Sequence, residues 1–89
     1  MTDLSPDVHA VLTQLLDEAR EHVRAGDSET AYELVETGET VTKNKVPAGE
    51  LKARLLHGWA ELPSLVEHDP AVATEYLQSM QRLLDEQSG

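Results

Sequence analysis

The sequence predicts an all-α protein whose four helices form two antiparallel hairpins. Apolar residues recur at steps of three and four in four segments, and proline, glycine or aspartate stands at most of the boundaries between them. No segment alternates apolar and polar residues for long enough to form a strand. With 89 residues, the chain is long enough for one core and too short for two, so we expect a single domain over 1–89.

The first predicted helix covers 6–25 and opens with Ser5-Pro6-Asp7, which supplies an N-cap residue, a proline at the first helical position and an acid. Its apolar stripe consists of Val8, Val11, Leu12, Leu15, Leu16, Ala19 and Val23. Gly26 suits the left-handed conformation that ends many helices. Asp27 can then cap the second helix, which the pattern places over 28–43.

The third helix is predicted over 48–67, with Pro47 at its start. Pro63 lies inside this helix. Because proline lacks an amide donor and clashes with the preceding turn, we expect a kink or a break near it. Asp69-Pro70 repeats the cap-and-proline signal and predicts a fourth helix over 70–86.

Each of the last three helices also has an apolar stripe. The stripe of the second helix is Ala31, Leu34, Val35, Gly38 and Val41. The stripe of the third is Leu51, Leu55, Gly58, Trp59, Leu62, Leu65 and Val66. The stripe of the fourth is Ala73, Tyr76, Leu77, Met80, Leu83 and Leu84.

Two glycines and the only tryptophan fall on apolar helix faces. A glycine inside a helix costs up to ~1 kcal/mol relative to alanine, so Gly38 and Gly58 are expected to allow close helix packing that offsets this cost. Trp59 fits the core spacing of its helix, and an exposed anchor for a partner protein is the alternative.

Small residues stand at defined places in the first hairpin: Ala19 in its first helix, Gly26-Asp27 at its turn, and Ala31 and Gly38 in its second helix. In this pattern the hairpin resembles a tetratricopeptide-type unit. The resemblance implies stacking of helical hairpins and, by analogy, binding of protein partners. The two predicted hairpins therefore pack either as an up-down bundle or in tetratricopeptide-like stacking.

The charge and composition exclude several classes of protein. Seventeen acidic residues against seven basic ones give a net charge of −10, which argues against binding to nucleic-acid phosphates. The absence of cysteine excludes disulfides, zinc fingers, iron–sulfur clusters and thiol nucleophiles. No apolar run approaches the length of a membrane span, and the N-terminus lacks a basic region followed by an apolar one. We therefore expect a cytoplasmic protein without a membrane span or a secretory signal.

The choice of residues is also biased. The chain has no Ile or Phe, and it has three lysines against eleven Glu and six Asp. This composition resembles that of salt-adapted proteins of the halophilic archaeal type. In ~1 M salt the Debye length is ~3 Å, so the repulsion among the net charges would be screened. The same charge would keep the protein soluble under those conditions.

No metal, cofactor or catalytic site is predicted, because the four histidines lack the spacing of a metal-binding motif on a helix. They are His9, His22, His57 and His68. Three pairs have the spacing with which magnesium-dependent helical nucleotide pyrophosphohydrolases gather metal: Glu18-x-x-Glu21, Glu33-x-x-Glu36 and Glu36-x-x-Glu39. Those enzymes also need a second element, Glu-x-x-Asp, which this sequence lacks. Such an enzyme is therefore an alternative and not the leading prediction. An acidic regulator that mimics nucleic acid is another.

Two features predict a protein partner. All lysines fall within 43–54, and we call the basic residues of this window the basic cluster: Lys43, Lys45, Lys52 and Arg54. Beside the main stripe of the third helix lies a second apolar strip, called here the outer strip: Ala53, Leu56, Ala60 and Pro63. The basic cluster could contact carboxylates of a partner or of a second subunit, and the outer strip could provide apolar contact. The leading prediction is a non-catalytic protein that acts by protein–protein contact and forms a homodimer.

Overall fold

The computed structural model describes residues 4–88, with side chains as far as residue 86. The backbone forms helices α1 (Pro6–Arg24), α2 (Ser28–Lys45), α3 (Glu50–His68) and α4 (Pro70–Ser88). No strand occurs in this part of the chain. The predicted all-α class is therefore confirmed.

The four helices pack side by side in a ring. α1 contacts α2 and α4, and α3 contacts the same two helices. Short connections join successive helices, so each helix runs antiparallel to the one before it. Contact between α1 and α4 closes the ring, as in an up-down bundle, so the helix contacts favour the bundle over hairpin stacking. The molecule measures 39 × 20 × 19 Å.

A single core runs along the bundle axis. Its buried apolar side chains are Leu4, Leu12, Leu16, Ala19, Val23, Ala31, Val35, Val46, Leu55, Trp59, Leu62, Val66, Ala73, Leu77, Met80 and Leu84. All of them except Leu4 and Val46, which lie outside the helices, belong to the predicted apolar stripes. Burial of one stripe from each helix therefore supplies the hydrophobic stabilisation of the fold.

Backbone hydrogen bonds end α1 in a Schellman motif. The amide of Gly26 donates to the Val23 carbonyl at 3.1 Å. The amide of Asp27 donates to the His22 carbonyl at 2.9 Å. Gly26 has a φ of +79°, which is the left-handed conformation predicted for it. The Asp27 carboxylate accepts a hydrogen bond from the Thr30 amide at 3.2 Å, which confirms its predicted role as the cap of α2.

The cap-and-proline pattern precedes both α1 and α4, but only one of the two caps forms a side-chain hydrogen bond. Ser5 occupies the N-cap position of α1, and its side chain makes no capping hydrogen bond. The Asp69 carboxylate accepts from the Val72 amide at 3.3 Å at the start of α4. Asp69 is also the only residue between α3 and α4, so this hairpin turns tightly.

The boundary between α2 and α3 differs from the prediction, since α2 continues to Lys45 and α3 begins at Glu50. Val46 precedes a proline, which disfavours helical backbone, and its extended conformation ends α2. The buried Val46 side chain anchors this loop in the core. The predicted start of α3 at Pro47 is wrong. Gly49 has a φ of +153°, which is not helical, so α3 begins only after Gly49 and Pro47 lies in the loop.

Of the kink and the break predicted near Pro63, the break is absent, because α3 continues as one helix from Glu50 to His68. Pro63 is exposed, and it lacks the amide that would donate to the Trp59 carbonyl. Packing against α2 and α4 holds the helix on both sides of the proline.

Trp59 lies in the core with 1% of its surface exposed, so the alternative of an exposed anchor is wrong. Its indole Nε1 donates to the Thr42 hydroxyl at 2.8 Å, and that hydroxyl donates to the Gly38 carbonyl at 2.8 Å. Gly38 lies directly against the indole ring, where a Cβ atom would collide. Gly58 lies in the same way against the Met80 side chain. The close packing predicted at both glycines is confirmed.

Candidate protein-binding surface

An apolar cavity of about 350 Å³ opens between α3 and α4 on the outer side of the bundle. Its lining residues are Ala53, Arg54, His57, Gly58, Tyr76, Ser79, Met80 and Leu83. Gly58 contributes no side chain, and the thioether of Met80 lies directly over it. The Met80 side chain therefore occupies the space that a side chain at position 58 would need.

A second cavity of about 310 Å³ continues from the first towards the turn between α3 and α4. Its lining residues are Glu61, Ser64, Leu65, Val72 and Tyr76. Tyr76 lines both cavities, so they lie next to each other along the hairpin, and we call the two together the α3–α4 groove. Val72 is 41% exposed within it, which is unusual for a large aliphatic side chain in this bundle.

The charged residues of the groove are separated along its length. Arg54 lies towards the start of α3, and Glu61 lies about two turns further along α3, where it lines the second cavity. Arg54 Nε lies 3.9 Å from a carboxylate oxygen of Glu50, and His57 Nε2 lies 3.9 Å from one of Glu61. Both contacts are long and exposed, so they contribute little and leave these groups able to contact a partner.

The outer strip is not buried in the bundle. All of its residues are exposed except Leu56, which is half-buried. Ala53 lines the α3–α4 groove. Leu56 and Ala60 follow Lys52 at four-residue steps and share its face of α3, which is turned towards α2. Two sides of α3 therefore present apolar surface outside the core.

The structure separates the members of the basic cluster. Lys52 Nζ donates to the Lys43 carbonyl at 2.9 Å and so satisfies a carbonyl in the last turn of α2. Lys43 and Lys45 are exposed, and among the described residues neither forms an ion pair. Arg54 stands two positions from Lys52, on the other side of α3, and lines the groove.

Lys45 lies in a different depression, of about 450 Å³, between the start of α1 and the end of α2. Its lining residues are Ser5, Asp7, Val8, Val11, Val41 and Lys45. Val11 is 46% exposed there. This cavity stays at one end of the bundle, whereas the α3–α4 groove extends along a hairpin.

Acidic and basic side chains are unevenly distributed along the bundle axis. The half that contains the α1–α2 and α3–α4 turns, 15–36 with 59–79, has eleven acidic residues and two basic ones. The described part of the other half, 4–14 with 37–58 and 80–88, has five of each. Antiparallel helices bring together acids that are scattered in the sequence, so one half is acidic and the other is balanced.

Two histidines contact aspartate carboxylates within the bundle. His9 Nε2 lies 3.1 Å from Asp85 Oδ1 and links α1 to α4. His22 Nδ1 lies 3.2 Å from Asp27 Oδ2 beside the Schellman motif. Hydrogen bonds from Thr30 hold the pKa of Asp27 below its ordinary value, and the contact with His22 adds to this lowering.

Within residues 4–86, no group of three or more His, Asp or Glu side chains is arranged to hold a metal ion. The three Glu-x-x-Glu pairs of α1 and α2 fall in this range and do not form such a group.

The α4 side of the groove was not identified as a binding surface from the sequence. Tyr76 and Met80 belong to the apolar stripe of α4 and were predicted as core residues. Val72 does not belong to that stripe and lies in the first turn of α4, two positions after Pro70. An apolar residue just outside a stripe, four positions before Tyr76, was the available signal for an apolar rim.

The family model of a domain of unknown function, DUF8101, matches residues 1–86. No curated protein and no solved structure matches the chain. Within residues 4–88, no helix is long and apolar enough to cross a membrane.

Proposed function

We propose that this chain, which belongs to the DUF8101 family, acts by binding another protein at the α3–α4 groove and performs no catalysis itself. The two adjoining depressions along the hairpin carry this proposal. Open depressions in a row suit an elongated apolar segment, such as one face of a helix. A small ligand is more often enclosed in a single cavity.

Further apolar surface on α3 supports the proposal. This surface consists of Leu56, Ala60 and Pro63, which lie on α3 beside the groove. None of these side chains is fully buried in the core. Their exposure leaves apolar area on which contact with a partner can extend beyond the groove. Lys43 and Lys45 remain predicted contacts for acidic groups at the end of α2, separate from the groove.

The same proposal includes a cytoplasmic location and work at molar salt. The net charge of −10 and the scarcity of lysine support this setting, since screening by salt would weaken repulsion within the acidic half of the bundle. The partner would then bind chiefly through apolar contact, which salt strengthens.

A capture experiment with a matched control tests the proposal. Tagged wild-type protein, Val72→Glu and Val11→Glu would be incubated with native lysate in molar KCl, and bound proteins would be identified by mass spectrometry. Val72 and Val11 are both exposed valines, at 41% and 46%, and only Val72 lines the groove. We expect Val72→Glu to lose a partner that Val11→Glu retains, because a charge in the groove must be desolvated on binding.

Circular dichroism of the three proteins provides the control for folding. Equal helicity is expected, since both substitutions are at exposed helical positions. Identical sets of captured proteins for Val72→Glu and the wild type would contradict binding at the groove.

A further inference from the structure

We infer that a second copy of this chain occupies the α3–α4 groove, with the two copies antiparallel about a two-fold axis. This inference rests on the proposed function, because it assigns an occupant to the groove proposed above. The charges along the groove and the area of this side of the bundle support a second copy as the occupant.

The charges along the groove complement their own reversed order. Arg54 and Glu61 are separated by about two turns of α3. A two-fold axis that crosses α3 midway between them, near Gly58, places Arg54 of each copy beside Glu61 of the other. Each arginine then meets a carboxylate, and the pair is formed twice because the interface is isologous.

Other occupants match these charges less well. A second copy in the parallel direction would place Arg54 against Arg54 and Glu61 against Glu61. A uniformly acidic or uniformly basic helix from another protein would meet a like charge at one end of the groove. Like charges at an interface cost free energy, so the antiparallel copy is favoured.

The distribution of charge over the whole bundle agrees with the same orientation. Glu61 belongs to the acidic half, with its eleven acidic residues, and Arg54 belongs to the balanced half. In the antiparallel arrangement the acidic half of each copy faces the balanced half of the other. The two strongly acidic halves are then kept apart.

The side of the bundle that carries the groove is comparable in area with one half of a standard interface. The molecule is 39 Å long and 20 Å wide, and the groove runs along the long direction. A standard interface takes roughly 800 Å² from each partner, so the dimer would bury most of this side and not the groove alone. Gly58 and Met80 would lie at the centre of the interface, with Arg54 on one side of them and Glu61 on the other.

The test exchanges the two charges. Wild type, Arg54→Glu, Glu61→Arg and the double variant would be compared by sedimentation equilibrium in KCl at which circular dichroism shows each to be folded. We expect each single variant to dimerise at least about ten-fold more weakly, because it places like charges opposite each other twice. The double variant should return to near the wild-type dissociation constant.

Mixing the two single variants gives a second readout that loss of folding cannot mimic. Arg54→Glu supplies two acids and Glu61→Arg supplies two bases, so the mixed dimer has opposite charges at both contacts. We expect mixing to restore the dimer mass that neither variant shows alone. Val11→Glu, outside the groove, should dimerise like the wild type.

Two results would overturn the inference. One is a wild type that remains monomeric at about 100 μM. The other is a dimer whose dissociation constant is unchanged in both single variants, which would place the interface on another side of the bundle. Either result leaves the proposed function standing if Val72→Glu still loses a captured partner. Loss of both the dimer and the capture difference would reject the two together.

Discussion

Trp59 is held in the core by two residues of α2 that have different tasks. Gly38 provides the space for the indole ring, and Thr42 provides the acceptor for its Nε1–H. Thr42 is the buried polar side chain of the core, and its hydroxyl donates a hydrogen bond to the Gly38 carbonyl. This arrangement gives both the Trp59 Nε1–H and the Thr42 hydroxyl a hydrogen-bond partner inside the core, which matters because an unpaired buried donor costs free energy.

Replacing Thr42 by valine should destabilise the protein by about 1–3 kcal/mol, because the Trp59 Nε1–H would lose its acceptor inside the core. Thr40→Val is the matched control. Its hydroxyl also donates to the carbonyl four residues earlier, but the side chain is exposed, so a change within about 0.5 kcal/mol is expected. Urea denaturation at fixed KCl measures both. Equal losses in the two variants would show that the Trp59 hydrogen bond contributes nothing.

Replacing Gly38 by alanine should also destabilise the protein, although alanine favours a helix by up to about 1 kcal/mol. The new Cβ collides with the rigid indole ring of Trp59, and overpacking of this kind costs about 1–3 kcal/mol. Gly58→Ala is the comparison, since its Cβ meets the flexible end of Met80, which can move aside. The loss of free energy of unfolding should be clearly larger at Gly38. A more stable Gly38→Ala protein would contradict the packing described here.

At the scale of the helices, the α1–α2 turn joins two caps through one residue. The backbone amide of Asp27 completes the Schellman motif of α1, and its carboxylate accepts from the Thr30 amide of α2. The same carboxylate contacts the His22 ring at 3.2 Å. Because these interactions favour the ionised form, the pKa of Asp27 is lowered and the turn depends on pH.

Asp27→Asn should be less stable than the wild type near neutral pH and should lose this disadvantage in acid. A carboxyl group whose pKa is lowered by folding stabilises the protein above its unfolded pKa of about 4. That contribution disappears as the pH falls through the lower pKa of the folded state. Melting temperatures of both proteins at about pH 6 and below about pH 3 give the comparison. A difference that is the same at both values would exclude the ionised cap.

At the scale of the whole molecule, the antiparallel bundle creates a charge distribution that no single helix has. Acids from the end of α1, the start of α2, the end of α3 and the start of α4 gather in one half. Their mutual repulsion opposes folding, and the small leucine, valine and alanine core must outweigh it. Screening by salt reduces this repulsion and therefore favours the folded bundle.

The melting temperature and helicity should rise strongly between about 0.1 M and about 2 M KCl through screening and salting-out. Replacing Glu29 and Glu33 of the acidic half by glutamine should remove more of this dependence than replacing Glu50 and Glu86 of the balanced half. All four side chains are exposed, so the pairs differ chiefly in their surroundings. Melting curves of the wild type and of both double variants over the salt series measure this dependence. A flat wild-type curve would remove the case for salt adaptation.

The helices and their order along the chain could be predicted because their signals are local. Apolar spacing identified four stripes, and Gly26, Asp27 and Asp69 marked helix ends by conformations and hydrogen bonds that neighbouring residues provide. The predicted start of α3 at Pro47 was wrong. Of the kink and the break predicted near Pro63, the break is absent, since α3 packs against helices on both sides, and the kink stays a prediction. Burial of Val46 placed Pro47 in a loop.

The sequence by itself therefore determined the fold class, the core positions and the close packing at Gly38 and Gly58, since all of these follow from residue type and spacing on one helix. Only the tertiary structure decided which residues of different helices meet. Thr42 accepts the hydrogen bond of Trp59, and Val72 and Gly58 line neighbouring parts of the α3–α4 groove. The basic cluster is divided between the groove, the contact of Lys52 with the end of α2, and the exposed surface of α2. The physical reason is that helical periodicity fixes the face of a residue, whereas its neighbours depend on which helices are adjacent and at what height along the bundle.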